Sequence, residues 1–129
     1  MRSLEIDDMI GRVFVSVKQE DSDSLVFTED DGKNWIFYHE QDCCESVQIE
    51  DIVGNLEDLV GEPLIVASES SNQEYRDDLY GDRFTWTYYK FATKKGYVDI
   101  RWYGASNGYY SERVDLTVEI NDKRVRIGE

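Results

Sequence analysis

The densest group of reactive side chains in this sequence is His39-Glu40-Gln41-Asp42-Cys43-Cys44-Glu45. An imidazole, two thiols and carboxylates this close together are the donor set of a soft or borderline divalent metal. The spacing points elsewhere. Zinc sites separate paired cysteines by two to four residues so that both sulfurs turn to one ion, whereas adjacent cysteines on an extended chain face opposite sides. His39, Asp42, Cys43 and Cys44 are therefore metal candidates by type and not by spacing. The plainer reading packs one cysteine in the core and ends a strand at His39. A thiol nucleophile with His39 as base would need a thiolate, and the flanking Asp42 and Glu45 carboxylates favour the protonated thiol. The expectation is a chain that is not an enzyme and carries no cofactor.

Two further groups invite chemistry. Glu50-Asp51, Glu57-Asp58 and Glu62, and the turn Glu29-Asp30-Asp31-Gly32, offer oxygens to Ca²⁺ or Mg²⁺, yet neither follows a D-x-D-x-D-G loop. The stretch from Trp102 to Arg113 holds glycines that let a loop approach a ligand, with Trp102, Tyr109 and Tyr110 as stacking faces. Arg113, with Arg101, suits a phosphate or carboxylate. These residues define a nucleotide-like small-ligand site as the alternative function. The plain reading is a hairpin loop whose tyrosines cover the rim of a sheet.

The elements that must position these groups are strands. Val13, Val15 and Val17 alternate with Phe14 and Ser16, and Leu25 and Phe27 lead through the acidic turn at 29–32 into Trp35-Ile36-Phe37-Tyr38-His39. Phe84, Trp86 and Tyr88 share one face of a later strand, with Thr85, Thr87 and Tyr89 on the other. Thr93-Lys94-Lys95-Gly96 is the turn into Val98, Ile100 and Trp102. Val114, Leu116, Val118 and Ile120 repeat the pattern, and Asn121-Asp122 is a hairpin turn into Val125 and Ile127. Leu56-Glu57-Asp58-Leu59-Val60 fits one short helical turn that Gly61 ends and Pro63 cannot extend. Leu64-Ile65-Val66-Ala67 reads as a buried strand and residues 68–82 as a polar loop. The fold expected is mainly β (α+β being the other possibility), with seven to eight mostly antiparallel strands. They would form a twisted sheet, a small sandwich or a barrel with one short helix, in a single domain over residues 1–129.

Aromatic residues make up 13% of the 129, which separates this chain from disordered acidic tails. No run approaches the ~18 apolar residues of a membrane span. The start lacks a basic region followed by an apolar one. Two adjacent cysteines are no disulfide framework, so a cytoplasmic setting is expected.

Charge is the largest anomaly. Residues 19–82 carry 19 acidic side chains and two basic ones, Lys33 and Arg76, a balance of −17 within a net −14. The plain reading is solubility. The sharper one is a surface that imitates nucleic-acid phosphate and occupies a partner's basic groove, with fast, salt-sensitive association. Asp42, Glu45, Glu50, Asp51, Glu57, Asp58 and Glu62 are the expected contact residues, on a face spanning 40–62. No direct nucleic-acid binding and no membrane contact are expected.

The strings Asp42-Cys43-Cys44-Glu45-Ser46-Val47, Ile49-Glu50-Asp51-Ile52-Val53-Gly54 and Leu56-Glu57-Asp58-Leu59-Val60-Gly61-Glu62-Pro63 resemble a known family. So do Ala92-Thr93-Lys94-Lys95-Gly96-Tyr97-Val98, Arg101-Trp102-Tyr103-Gly104 and Ser106-Asn107-Gly108-Tyr109-Tyr110-Ser111-Glu112. It is a domain of unknown function found in small uncharacterised proteins of tailed bacteriophages and prophages, and the likeness runs from about Ile10 to Val118. Asn55 stands where an Asp is expected. The resemblance implies a binding protein directed at host or defence machinery, such as a CRISPR effector, and acting in the host cytoplasm.

Overall fold

The computed structural model describes residues 5–41, 44–75, 83–106 and 111–120. Among them are eight strands and two 3-10 turns, Ile6–Met9 and Leu56–Leu59, with no α-helix. The strands are β1 (Phe14–Asp21), β2 (Ser24–Glu29), β3 (Lys33–Tyr38), β4 (Ser46–Val53), β5 (Val66–Tyr75), β6 (Arg83–Thr93), β7 (Gly96–Ser106) and β8 (Asp115–Ile120). They form two antiparallel four-stranded sheets, ordered β1-β2-β3-β8 and β4-β7-β6-β5. Among the described residues neither a single sheet nor a closed barrel is formed.

Period-two patterning explains both inner faces. In the first sheet Leu25, Phe27, Trp35 and Phe37 are fully or almost fully buried. In the second, Tyr89, Phe91, Val98, Ile100 and Trp102 turn inward. The sheets meet through aromatic pairs, with Phe27 and Phe91 rings 4.8 Å apart and Phe37 and Tyr89 rings 4.9 Å apart. Edge-to-face and tilted geometries of this kind add to simple area burial. Gly32, at φ 90°, closes the β2–β3 turn in a conformation a side chain would oppose. Core residues thus come from both halves of the chain. Phe14, Phe27, Trp35 and Phe37 supply the first sheet's share of that core.

Three expectations change. Residues 68–75 are not a loop: they continue β5, paired residue for residue with β6 from Val66↔Ala92 to Tyr75↔Arg83. Their side chains are polar because this is an edge strand, exposed from Ser68 to Glu74. The strand begins at Val66 rather than Leu64, since the Leu64 and Ile65 amides bond Arg12 and Ala92 carbonyls in an irregular link. On β6 the buried face is Thr85, Thr87 and Tyr89, whereas Phe84 and Trp86 are half-buried and Tyr88 exposed on the outer face. The hairpin through Asn121-Asp122 into Val125 and Ile127 lies outside the described residues.

Candidate functional site

His39 follows β3 and Glu45 precedes β4, so the two strand ends bring them together. The imidazole Nδ1–H donates to the Arg113 carbonyl at 2.7 Å, and Nε2 lies 2.9 Å from Glu45 Oε1. Both side chains are buried, and the Gln41 amide donates to the Glu45 carbonyl. A general base needs a free nitrogen lone pair facing substrate. His39 has neither nitrogen free, and Glu45, expected on a contact face, is locked inside as its partner. Cys44 is exposed. Asp42 and Cys43 lie outside the described residues. Among the described residues no three His, Cys, Asp or Glu side chains converge as a metal site.

The alternative ligand residues separate. Trp102 is 1% exposed and belongs to the core through β7, because even positions of that strand face the first sheet. Its indole nitrogen is buried without a partner among the described groups. Tyr109 and Tyr110 lie outside the described residues. Arg113 is exposed and sits 3.6 Å from Asp115.

Sequence reasoning passed over Glu112 and Arg83. Glu112 is buried and accepts from Arg83 Nε at 2.9 Å, from the Thr85 hydroxyl at 2.9 Å and from the Ser106 hydroxyl at 2.6 Å. Its side chain lies against Gly104, where an added Cβ would come within 2.7 Å of Glu112 Cβ. The network pins the segment before β8 onto the inner faces of β6 and β7. A cleft of about 310 Å³ opens beside it, with Glu69, Ser71 and Gln73 of β5 turned inward. Burial first, and a hydrogen bond to Glu69 second, push the Tyr89 hydroxyl far above the usual phenol range. The only sequence signal for this polar interior was the threonine pair opposite the aromatic face of β6.

The remaining acidic residues divide by neighbour. Glu50 accepts from Arg101 Nε at 2.6 Å, and Asp51 lies 3.9 Å from the same guanidinium. The one guanidinium offsets half of their charge. Glu57, Asp58 and Glu62 are elsewhere, at one end of the two-sheet body. Several links assemble that end: Gly11 N–H to Leu64 O, Gly61 N–H to Phe14 O, Phe14 paired with Glu29, and the Lys95 ammonium on Val60 O. The first 3-10 turn, the β2–β3 turn and the second 3-10 turn therefore lie together, bringing Glu5, Asp7, Asp30, Asp31 and Glu57 to an exposed surface. Glu62 is offset by Lys94 at 3.4 Å. Glu29 is inside this group but structural, accepting from Trp35 Nε1 at 2.8 Å and from Arg12, whose guanidinium lies 5.0 Å over the Trp35 ring.

Acid crowding recurs in the β1–β2 turn. A hydrogen bond between the Asp21 and Asp23 side chains holds Asp21 below the usual carboxylate range and lifts Asp23 above it. Asp21 also accepts from the Ser24 hydroxyl at 2.9 Å. Among the described residues no helix is long and apolar enough to cross a membrane.

No curated protein and no solved structure matches the chain. A model of one family, described as a domain of unknown function (DUF7448), matches residues 7–116. That span takes in β1 to β7 and the first two residues of β8. The chain belongs to the DUF7448 family.

Proposed function

We propose that this protein is an acidic binding protein that occupies the basic, nucleic-acid-binding surface of a partner. The observation that carries the reading is the meeting of three acid-bearing segments, separate in sequence, at one end of the two facing sheets. Carboxylates held on turns of a packed body keep their spacing, and a fixed row of negative charge competes for groups that otherwise hold phosphates. The contact surface in this reading is Asp30, Asp31, Glu57 and Asp58 with Glu5 and Asp7, rather than the whole of 40–62. Glu45 is buried, and Glu50 and Asp51 are faced by Arg101. In its narrowest form the partner is a host or defence complex that a bacteriophage must disarm, a CRISPR effector among them, met in the host cytoplasm.

Immobilised protein should retain nucleic-acid-binding proteins from bacterial lysate at low salt and release them at high salt. The retained protein should lose bound DNA when this chain is added in solution. Charge reversal at Asp30, Asp31 and Glu57, all exposed, should abolish both effects while the melting temperature holds. If nothing that binds nucleic acid is retained at low salt, the reading is wrong.

A further inference from the structure

The outward face of the β4-β7-β6-β5 sheet carries a pattern that the acidic end does not explain. Alternate residues of β6 place Phe84, Trp86, Tyr88 and Lys90 there, about 6.7 Å apart along the strand. Register sets Tyr103 of β7 beside Trp86 and Arg101 beside Tyr88. The Trp86 and Tyr103 rings are 5.3 Å apart, and Phe84 stacks on Tyr103 at 6.2 Å. The rims beside this aromatic row are polar, with Glu74 of β5 and Asp51 of β4 among them. Ser68, Ser70 and Asn72 of β5 flank one side and Gln48 and Ser46 of β4 the other.

At Tyr88 the face sinks into a hollow of about 370 Å³, walled by Lys90, Arg101, Asp51, Asp99, Ser68 and Ser70. The charges in this wall are paired but, with Glu50, sum to −1, two cations against three carboxylates. Arg101 is shared by Glu50 and Asp51, and Lys90 lies 4.0 Å from Asp99 and 5.7 Å over the Tyr97 ring. An anion meets this net negative wall, and a cation has to compete with Arg101 and Lys90 for the same carboxylates. A neutral hydroxyl has no such cost. It donates to a carboxylate and accepts from a guanidinium or ammonium, and the long pairs at 3.9 and 4.0 Å leave room for it. The apolar C–H side of a sugar ring then lies on an aromatic face, whose negative quadrupole favours it. With a chain charge of −14, polyanions are repelled.

We propose that this face binds a neutral oligosaccharide, seated in the hollow at Tyr88 and continuing along Trp86 and Tyr103. The site is separate from the acidic end and does not depend on it. Trp86 is a built-in reporter, since Trp35 and Trp102 are buried at 0% and 1% exposure.

The test is a tryptophan-fluorescence and calorimetric titration of the full chain with cellohexaose, chitohexaose and maltohexaose, with dextran sulfate and a proline-rich peptide in parallel. At least one neutral hexasaccharide should shift Trp86 emission and bind saturably up to millimolar concentration, with little dependence on salt. Tyr88→Ala and Trp86→Phe should each weaken that binding about tenfold or more, equivalent to 1.4 kcal/mol. Tyr88→Phe, which keeps the ring, should retain most of it. Absence of binding by all three sugars overturns the proposal. So does binding of dextran sulfate or the peptide in preference to the sugars, or affinity that survives Tyr88→Ala. Because charge reversal at Asp30, Asp31 and Glu57 leaves this face intact, that variant should still bind sugar.

Discussion

Glu112 and Arg83 meet at 2.9 Å between Oε2 and Nη2, although 29 positions separate them in the chain. The carboxylate is almost fully buried and the guanidinium partly exposed. Two hydroxyls, from Thr85 and Ser106, take up further acceptor capacity of the same carboxylate. A buried charge so fully hydrogen-bonded holds position more by the cost of leaving it than by net gain. It fixes where the segment before β8 enters the first sheet.

Removing that carboxylate takes an acceptor from Arg83, Thr85 and Ser106. Glu112→Ala should lower stability by about 3 kcal/mol, at the lower end for breaking a buried pair because Arg83 reaches solvent. Glu112→Gln keeps an acceptor and the shape and should cost less. Urea unfolding of the two variants measures the difference, and equal midpoints would mean the charge is not held as described.

Gly104 is constrained by the same network. A Cβ there would meet Glu112 Cβ at 2.7 Å and Val47 Cγ2 at 3.1 Å. Gly104→Ala should cost about 1–3 kcal/mol through overpacking. Combined with Glu112→Gly, which empties the space, the loss should be smaller than the sum of the two single losses, as expected for residues in contact.

Tyr89 gives stability a pH dependence at the alkaline end. Its folded-state pKa is raised, chiefly by burial and then by Glu69, above the ordinary value of 10.0. The unfolded chain therefore releases the phenolic proton first. The contribution is fully present below about pH 10 and should fall by about 1.4 kcal/mol per pH unit above it. Comparing wild type with Tyr89→Phe in urea between neutral pH and pH 11 isolates this slope. Parallel curves would contradict it.

Trp102 holds a buried indole N–H with no partner among the described groups. Phenylalanine removes that donor while keeping much of the ring. Trp102→Phe should cost well under the about 3–5 kcal/mol expected of Trp102→Ala, because relief of the orphaned donor offsets part of the lost volume. Thermal unfolding of the pair decides it.

Much of the fold was legible because its information is local. Alternation over five or six residues named β1, β2, β3, β6, β7 and β8, and Gly32, Gly61 and Pro63 marked where elements stop. β5 was legible only at Val66 and Ala67, because Ser68–Glu74 has no apolar side to alternate. Its strand state comes from backbone pairing to β6, which no periodicity records. The candidate site was legible only as charge. Which carboxylates are paired depends on which residues the packed strands bring beside them: His39 for Glu45, Arg101 for Glu50 and Asp51, Arg83 for Glu112.

The sequence by itself determined a mainly β chain, its hairpins and its concentration of acid between residues 19 and 82. It also determined that β6 would have one aromatic and one threonine-rich face, since side-chain direction alternates along any strand. Only the tertiary structure decided which face is which. Stacking the sheet on Phe27 and Phe37 turned Thr85, Thr87 and Tyr89 inward and left Phe84, Trp86 and Tyr88 outward. The same packing drew Trp102 into the core, hid Glu45 and Glu112, and gathered the two 3-10 turns and the β2–β3 turn at one end. The reason is physical: alternation fixes that two faces differ, but burial is a property of the surface each face meets.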